Sequence, residues 1–398
     1  MSDRGQMDGS GRAVSLIGAE EILSRQERAR EGAARGGYAA LLVVGRSFYD
    51  RCGDLAYLTN HFPPFPTSVF SDVNRGLGHA FFLLPVDGDA ILLTDPRGHR
   101  RDLVPVSDVR RASDLGAAVV ATLRERGLAS SRVGLVGDDI LPAAMDRSIG
   151  AALPDLELLP ERDLLPGLRR IKSPAEQHLL REAALRADAG LRAALDTVGA
   201  GGATEQEVCA AGTGAALRAG ADFVRYLRVH SGPWSAAGSR WPQAMPRKIE
   251  PGDVVAVDII GAFGGYQFDV LRTTAAALVD RDRRAMLELV HEASERAVVA
   301  CVAGATAGDV VVAAAAAYEG TPFSAYTGTM MGHGIGLETV EAPYLQQGST
   351  ERLEAGMVLC VEPGIFVPDW AGASIEQEVI IRADGPPEII TPTATRLW

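Results

Sequence analysis

Two aspartates in one predicted β-hairpin have the chemistry and the spacing of metal ligands. Asp258 and Asp269 lie in apolar, β-branched runs on either side of a glycine-rich turn, which is typical of an antiparallel hairpin. A turn centred between Phe263 and Gly264 would place the two carboxylates directly opposite each other, with Cβ atoms about 5 Å apart. Like charges there destabilise a hairpin unless a cation lies between them, and hard divalent cations bind carboxylate oxygens. A bulge that turns one aspartate to solvent is the alternative.

Three other side chains extend this predicted ligand set. His333 lies in the glycine-rich run 332–336, while Glu362 and Glu376 each lie in a strand-like apolar run. The two glutamates flank the turn-prone segment 368–372, so a second hairpin would bring them together. Two aspartates, one histidine and two glutamates form a hard set of nitrogen and oxygen ligands, suited to one or two ions of manganese, cobalt, iron or zinc.

The segments around these residues predict two domains of different class. Residues up to about 165 alternate helix-like and strand-like segments, which predicts an α/β domain. Ser173 and Glu176 then form a capping box with a proline at the first helical position, and this strong helix start marks the domain boundary. We expect a polar, disordered tail over residues 1–12, an N-terminal domain over 13–168 and a catalytic domain over 169–398.

Individual elements follow from hydrophobic periodicity and capping signals. The sequence predicts helices over residues 14–36, 114–126, 142–152, 173–198, 204–219, 281–303 and 308–318. It predicts strands over residues 39–44, 56–58, 79–84, 90–93 and 133–136, besides the two hairpins. In the second half, two helix pairs that each accompany one strand pair suit a pseudo-symmetric α+β fold.

The combination of motifs resembles the pita-bread-fold metallopeptidases, which include methionine aminopeptidase, aminopeptidase P, prolidase and their metal-free relative creatinase. The similarity rests on the runs IKSPAE at 171–176, GHGIGLE at 332–338 and VEPGIF at 361–366, together with the aspartate hairpin and Glu376. It covers about residues 165–398 and extends more weakly into the N-terminal part. The resemblance implies a creatinase-like α/β N-terminal domain and an α+β pita-bread catalytic domain.

The resemblance also implies roles for the ligands. Asp258 would bind one ion, and Asp269 and Glu376 would bridge two divalent ions, with manganese the first choice. His333 and Glu362 would complete the second ion's site, and Glu362 would also accept a proton from the attacking hydroxide. A homodimer is implied by the resemblance as well.

Two histidines of the family pattern are missing from this chain. Val340 stands where a second histidine follows the first, and Trp241 or Arg240 stands where another precedes the first metal hairpin. In the family these histidines stabilise the tetrahedral intermediate and hold the substrate amide, and losing such donors typically costs about 10²- to 10³-fold in rate. Ser374 also replaces an arginine that aminopeptidase P and prolidase carry.

Several residues are candidates for binding the substrate in place of the missing groups. His230 could donate a hydrogen bond, although it could equally be a plain strand histidine, and Trp241 could form an aromatic wall. Arg240 could clamp a carboxylate, and Glu341 occupies a position that supports the ligands in the family. Loops of the N-terminal domain reach the active site in creatinase-like relatives, often that of the partner subunit. The candidate substrate-binding residues are therefore His61, His230, Arg240, Trp241, Val340 and Glu341, with Tyr57, Phe65 and Phe70 as weaker ones.

Three functions follow as hypotheses. The first is a metal-dependent hydrolase of the Xaa-Pro-peptidase and creatinase group that acts on a small dipeptide-like or acyl-amine substrate. The second keeps the metal centre for a different reaction, a lyase or a C–N hydrolase for a specialised metabolite, because both catalytic histidines are absent. The third is a non-catalytic binding module, against which the complete ligand set argues.

Composition bounds the partners and the compartment. The 398 residues suffice for two domains, and an apolar share of 47% is ordinary for a protein with a packed core. The formal net charge of −12 argues against nucleic acid and anionic membranes as partners. Four cysteines without CxxC spacing, and an N-terminus without a signal pattern, predict a cytoplasmic protein with reduced thiols.

Overall fold

The computed structural model describes residues 6–7, 13–14, 16–66, 75–238 and 241–398. Within these residues the chain divides into two compact units, residues 17–169 and residues 1–16 with 170–398. The sequence-based boundary between residues 168 and 169 lies one residue from this division. Of the predicted tail over residues 1–12, only Gln6–Met7 is described, as a strand that pairs with Ala13–Val14. Phe70 and Arg240 lie outside the described residues.

The N-terminal unit is an α/β domain built on one mixed sheet. The strands β3 to β8 follow β1 (Gln6–Met7) and β2 (Ala13–Val14) in the chain and lie in the order β6-β5-β4-β3-β7-β8. Their bounds are β3 (Ala40–Arg46), β4 (His79–Pro85), β5 (Ile91–Thr94), β6 (Asp108–Arg111), β7 (Arg132–Val136) and β8 (Glu157–Pro160). The helices are α1 (Ala19–Arg35), α2 (Gly53–Thr59), α3 (Leu115–Glu125), α4 (Ala143–Ala152) and α5 (Leu164–Arg170).

One predicted strand of this unit is wrong. Residues 56–58 belong to the helix α2 and not to a strand, and the strands β6 and β8 are not among the predicted ones. Helix α2 is buried over nearly its whole length and ends at Asn60 in the left-handed conformation. Hydrophobic periodicity cannot separate a short, fully buried helix from a buried strand, which explains the error.

The second unit carries the predicted ligands on strands that helices cover. Its helices are α6 (Pro174–Ala200), α7 (Glu205–Arg218), α8 (Arg281–Ala300) and α9 (Ala307–Ala315), with short 3₁₀ helices at Gly232–Ala236 and Ser324–Tyr326. Its strands are β9 (Phe223–Ser231), β10 (Val254–Phe263), β11 (Tyr266–Ala275), β12 (Met330–Gly334), β13 (Glu341–Gln346), β14 (Val358–Val361), β15 (Gly364–Val367), β16 (Ala371–Ser374), β17 (Gln377–Ile380) and β18 (Glu388–Ile389). They form a three-stranded sheet (β11-β10-β9), a five-stranded sheet (β13-β12-β14-β17-β18) and the pair β15-β16.

The helices of this unit begin where the capping signals predict and pack closely on the strands. The capping boxes at Ser173 and Thr204 are both formed at the starts of α6 and α7. Glycines at the contact, Gly190 on α6 and Gly212 on α7, leave room for the side chains of Ile259 and Leu227. None of the helices in the described ranges is long and apolar enough to cross a membrane.

The first hairpin turns one residue later than predicted. Gly264 and Gly265 form the two-residue connection between β10 and β11, with φ angles of 58° and 81°. Such turns need positive φ at both central positions, which glycine adopts without strain. A turn centred between Phe263 and Gly264 would have forced positive φ on the phenylalanine, and this steric cost explains why the prediction was wrong.

The shifted turn changes the pairing of the two aspartates. Asp258 lies opposite Leu271, and Asp269 lies opposite Ile260, so the aspartates are diagonal neighbours and not a directly opposed pair. Because the register differs from the predicted one by an even number of residues, both side chains still lie on the same face of the sheet. The predicted meeting of the carboxylates therefore survives the error in register.

The second predicted hairpin is interrupted at its glutamates. Strand β14 pairs with β17 and β15 pairs with β16, and Glu362 and Glu376 lie in the break between these two ladders. The N–H of Glu362 donates to the carbonyl oxygen of Met331 at 3.0 Å, and the N–H of Glu376 donates to that of Leu271 at 3.0 Å. Each glutamate is thus tied to a strand that carries, or neighbours, another predicted ligand.

Candidate metal centre

All five predicted ligands meet around one cavity of the second unit. Asp258 comes from β10, Asp269 from β11, His333 from β12, and the two glutamates from the break described above. Carboxylate oxygens of Asp258, Asp269 and Glu376 all lie within 4.8 Å of one another. His333 Nε2 lies 3.4 Å from Glu362 Oε1 and 3.9 Å from Asp269 Oδ2. These separations allow the five side chains to share ions.

The ring of His333 is oriented by its own backbone. Its Nδ1 lies 3.0 Å from the carbonyl oxygen of Gly334, a contact in which Nδ1–H is the donor. This hydrogen bond leaves Nε2 free to face the carboxylates as a ligand. Burial by itself lowers the pKa of His333. The hydrogen bond to Glu362 and the charges of Asp269 and Glu362 outweigh burial, so the pKa is raised to about 9. The site therefore attracts positive charge.

The buried carboxylates fit a pair of divalent ions. Four carboxylates converge here, and burial followed by the charges of Asp269, Glu362 and Asp258 raises the pKa of Glu376 well above its ordinary value. Glu376 Oε1 is enclosed and has no hydrogen-bond partner among the described residues. A buried carboxylate oxygen without a donor is costly unless a cation binds it. Two divalent ions would balance the four negative charges.

Two arginines support the ligands from the protein side. Arg228 lies opposite Asp258 in the β9–β10 ladder, and its Nη2 donates to Asp258 Oδ2 at 2.7 Å. Arg272 is fully buried, and it donates to the backbone carbonyl of Glu376 and, at 2.8 Å, to Oε1 of Gln377. These bonds fix the carboxylate of one ligand and the backbone of another.

Two further buried groups lie directly behind the ligands. Glu378 accepts the N–H of Asp269 at 2.9 Å, and burial raises the pKa of its carboxyl to about 8. The Cys360 thiol lies within 4.8 Å of ligand atoms of His333 and Glu376. Burial raises the pKa of Cys360 well above its ordinary value, so the thiol stays protonated and acts as the small buried hydrophobe that the sequence suggests.

The cavity in front of the ligands has a volume of about 250 Å³. Val340, at the position of a missing family histidine, lines it and is half exposed. The wall also includes residues that the sequence analysis did not name: Arg225, Tyr226, Ile260, Met330 and Thr339. Of these residues, Ile260 had a sequence signal, since it lies two residues from Asp258 in the same predicted strand and hence on the same face.

The other predicted substrate residues lie elsewhere. His230 and Trp241 line a second cavity of about 420 Å³, where Nε2 of His230 lies 3.1 Å from the carbonyl oxygen of Pro242. The carboxylate of Glu341 does not line the ligand cavity, because it is paired with the buried Lys172 at 2.7 Å. His61 and Tyr57 are buried in the N-terminal unit, whereas Phe65 of the same unit is exposed.

The position of the missing arginine has a structural role. Ser374 is buried, and its hydroxyl donates to the carbonyl oxygens of Glu362 at 3.2 Å and Pro363 at 3.0 Å. Its N–H donates to the hydroxyl of Thr273 at 3.0 Å. The side chain holds the break between the two ladders and has no free charge for a substrate.

Comparisons with known proteins agree with this geometry. The chain is 31% identical over 234 residues to the Xaa-Pro dipeptidase of Pyrococcus furiosus, which covers 56% of this chain and 64% of that enzyme. It is 33% identical over 259 residues to the probable dipeptidase PepE of Mycobacterium tuberculosis, covering 65% and 68%. The matched segment thus spans just under two thirds of the first relative's length.

The likeness in structure extends over nearly the whole chain. The Xaa-Pro dipeptidase from Bacillus anthracis superimposes with a TM-score of 0.79 at 26% identity, covering 94% of this chain and 99% of that one. This match confirms the predicted fold, an α/β N-terminal domain followed by a pita-bread domain. The model of metallopeptidase family M24 matches residues 178–383, which include all five predicted ligands. The chain belongs to metallopeptidase family M24.

Proposed function

We propose that this protein is a dinuclear-metal hydrolase that cleaves small dipeptide-like substrates of the Xaa-Pro type. The observation that carries the proposal is the convergence of Asp258, Asp269, His333, Glu362 and Glu376 on one cavity. Membership of the M24 family implies a dinuclear metal centre. The names of the relatives, Xaa-Pro dipeptidase and dipeptidase, support the choice of substrate.

The five ligands have different proposed roles in binding the two ions. Asp258 would hold one ion, Asp269 and Glu376 would bridge both, and His333 with Glu362 would complete the second site. Bound divalent ions supply Lewis acidity toward the substrate carbonyl and lower the pKa of an attacking water. We choose manganese as the ion, with cobalt, iron and zinc as the alternatives that the hard ligand set allows.

Glu362 is the group we expect to accept the proton of the nucleophile. Its side chain is 24% exposed, whereas those of Asp258 and Asp269 are 3% and 8% exposed. It is therefore the more accessible from the cavity, where a substrate and a water would lie, while these two aspartates are enclosed. A carboxylate in this position can take a proton at one step and return it to the leaving amine at the next.

A non-peptidase reaction on the same centre is the second candidate. Val340 lines the cavity where peptidases of the family carry a histidine, and Trp241 lies 79% exposed in a different cavity. Neither can donate a hydrogen bond to a reacting amide in this cavity. A lyase, or a C–N hydrolase for a specialised metabolite, would need fewer such donors.

Turnover against a substrate panel separates the two candidates. Protein loaded with manganese or cobalt would be mixed with Xaa-Pro dipeptides, creatine and N-acylated amino acids, and products would be detected by mass spectrometry. Cleavage of an Xaa-Pro dipeptide that the Asp269→Asn variant cannot perform would support the peptidase. If protein shown to hold two ions forms no product from any substrate of the panel, the peptidase is rejected in favour of the second candidate.

We also propose a cytoplasmic homodimer. The four cysteines are free thiols, which suits a reducing compartment. The dimer follows from the family resemblance alone, and sedimentation of the purified protein tests it. Neither nucleic acid nor a membrane surface is proposed as a partner, because the formal net charge is −12.

A further inference from the structure

Strand β9 contains a bulge beside the metal centre. Asp258 to Ile260 pair in order with Arg228 to Tyr226, but the next residue, Gly261, pairs with Val224. Arg225 is therefore the extra residue of a β-bulge. Bulges re-aim side chains and are common next to active sites.

The bulge explains why two consecutive residues face the same cavity. Side chains of a regular strand alternate between its faces, so Arg225 and Tyr226 should point to opposite sides. Both instead line the cavity that contains the five ligands. Without the bulge, the guanidinium of Arg225 would lie on the other face of the sheet.

Arg225 has no partner among the described residues. Its Nε is enclosed and makes no hydrogen bond there, and it forms no ion pair with any described carboxylate. Its neighbour Arg228, in contrast, is paired with Asp258 at 2.7 Å. The two Nη groups of Arg225 are not enclosed and make no hydrogen bond with the described residues, so they are the donors open to an anion, and their planar fork matches a carboxylate.

The carboxylates of the protein that line the cavity are not available as the anion that pairs with Arg225. In the proposed centre they are occupied by two divalent ions, whose charge they balance. Arg225 then adds one positive charge that the cavity walls leave uncompensated. Ser374, at the position of the family's arginine, has no charge to offer.

The size of the cavity limits the ligand that can supply the anion. Its volume of about 250 Å³ is below the 300–1,000 Å³ typical of drug-sized ligands. A dipeptide or an N-acyl amino acid fits this size, and both end in a carboxylate. We propose that Arg225 binds the free carboxylate of the substrate, and thereby restricts the centre to small substrates that end in an acid.

This inference rests on the proposed function for the reaction, but its test does not need turnover. L-proline and L-prolinamide differ only in the acid, so their binding to manganese-loaded protein can be compared by isothermal titration calorimetry. We expect the wild-type protein to bind proline about 10- to 100-fold more tightly than prolinamide, the range that one charge-assisted pair gives. Arg225→Gln should abolish this preference.

A matched control removes the same charge elsewhere. Arg281→Gln neutralises an exposed arginine at the start of α8 and should leave the preference for proline intact. Arg225→Lys keeps the charge but loses the planar fork, so it should retain only part of the preference. Manganese content should equal that of the wild-type protein in all three variants, since none removes a proposed ligand.

Two results would overturn the inference. One is equal binding of proline and prolinamide by the wild-type protein. The other is an unchanged preference for proline in both Arg225→Gln and Arg225→Lys, which would mean that the ions themselves bind the acid. If the wild-type protein prefers proline to prolinamide but cleaves no peptide, the proposed function is contradicted and the assignment of Arg225 is not.

Discussion

Two buried histidines, one in each unit, have pKa values shifted in opposite directions. His61 in the N-terminal unit is 4% exposed, and burial, followed by the charge of His99, lowers its pKa to about 4. His333 in the second unit is 3% exposed, yet its pKa is raised to about 9. Burial acts in the same direction on both rings, so the difference comes from their neighbours.

The two histidines differ in the acidic groups that surround them. His61 lies where a neutral ring is favoured, with only Asp95 acting to raise its pKa. His333 faces Asp269 and Glu362, whose charges more than offset the cost of burial. An environment that draws positive charge into the core of a protein is what a metal site requires. Four substitutions test whether neighbouring charges decide how a buried ionisable group behaves.

The largest effect is expected from removing one acidic neighbour of His333. Asp269→Asn takes away a proposed bridging ligand, so manganese affinity should fall by at least about 100-fold, because even changes behind the ligands cost 10- to 100-fold. In the metal-free protein the pKa of His333 should fall as well. Titration calorimetry and histidine NMR measure these two quantities. Asp196→Asn, an exposed change on α6, is the control, and normal metal binding by Asp269→Asn would contradict the assignment.

The second change concerns a carboxylate, that of Glu341, whose cationic partner is a buried lysine of the same chain. Lys172 is 3% exposed and paired with Glu341 at 2.7 Å. Lys172→Met removes the buried cation that pairs with Glu341, so the free energy of unfolding should fall by about 3–5 kcal/mol. Chemical denaturation measures this loss. The double variant Lys172→Met with Glu341→Met should recover most of it, and a single variant as stable as the wild type would show that the pair is not needed.

The third change tests burial at a histidine where the charge of an acidic neighbour, Asp95, does not offset the effect of burial on the pKa. Because the folded-state pKa of His61 is about 4 and an unfolded histidine titrates near 6.5, the unfolded state takes up the proton first as pH falls. Stability is therefore complete above pH 6.5 and declines by about 3 kcal/mol between pH 6.5 and 4. His61→Gln should remove this part of the pH dependence in denaturation experiments. His178→Gln, at an exposed position, should leave the slope unchanged, and an unaltered slope in His61→Gln would refute the assignment.

The smallest effect is expected from adding a second histidine to the cavity that His333 lines. Val340→His places an imidazole where peptidases of the family carry one, and should raise Xaa-Pro cleavage about tenfold, a fraction of what such donors supply in native sites. Steady-state kinetics at constant manganese content measures the change. A lower rate would indicate that the cavity serves the second, non-peptidase reaction. Val312→His, at an exposed position on α9, controls for an added surface imidazole.

Much of the fold was predictable because its signals are local. The capping boxes at Ser173 and Thr204 define helix starts by side-chain chemistry within four residues, and both are formed. The family motifs predicted the five ligands, which the fold brings together from five separate strands or strand ends. The short helix α2 escaped prediction because its burial depends on the surrounding domain and not on its own periodicity.

The rest of the site depends on register, which no local signal gives. The turn at Gly264 and Gly265 is an exception, because two consecutive glycines are a local signal for positive φ and favour the observed centre over the predicted one. Arg225 was missed because strand parity places it on the wrong face, and only the bulge in β9 reverses this. Arg240, the predicted clamp, lies outside the described residues.

The two-residue turn at Gly264 and Gly265 has a consequence for how such a chain can diverge. Inserting or deleting one residue there would shift the pairing of β10 and β11 by one residue. Asp269 would then lie on the opposite face of the sheet from Asp258, and the site would be lost. Only changes in steps of two, or a compensating bulge of the kind found in β9, keep both aspartates on one face. Related chains that keep the metal site should therefore differ in the length of this connection by even numbers of residues. The residue types in the connection can vary as long as they allow positive φ.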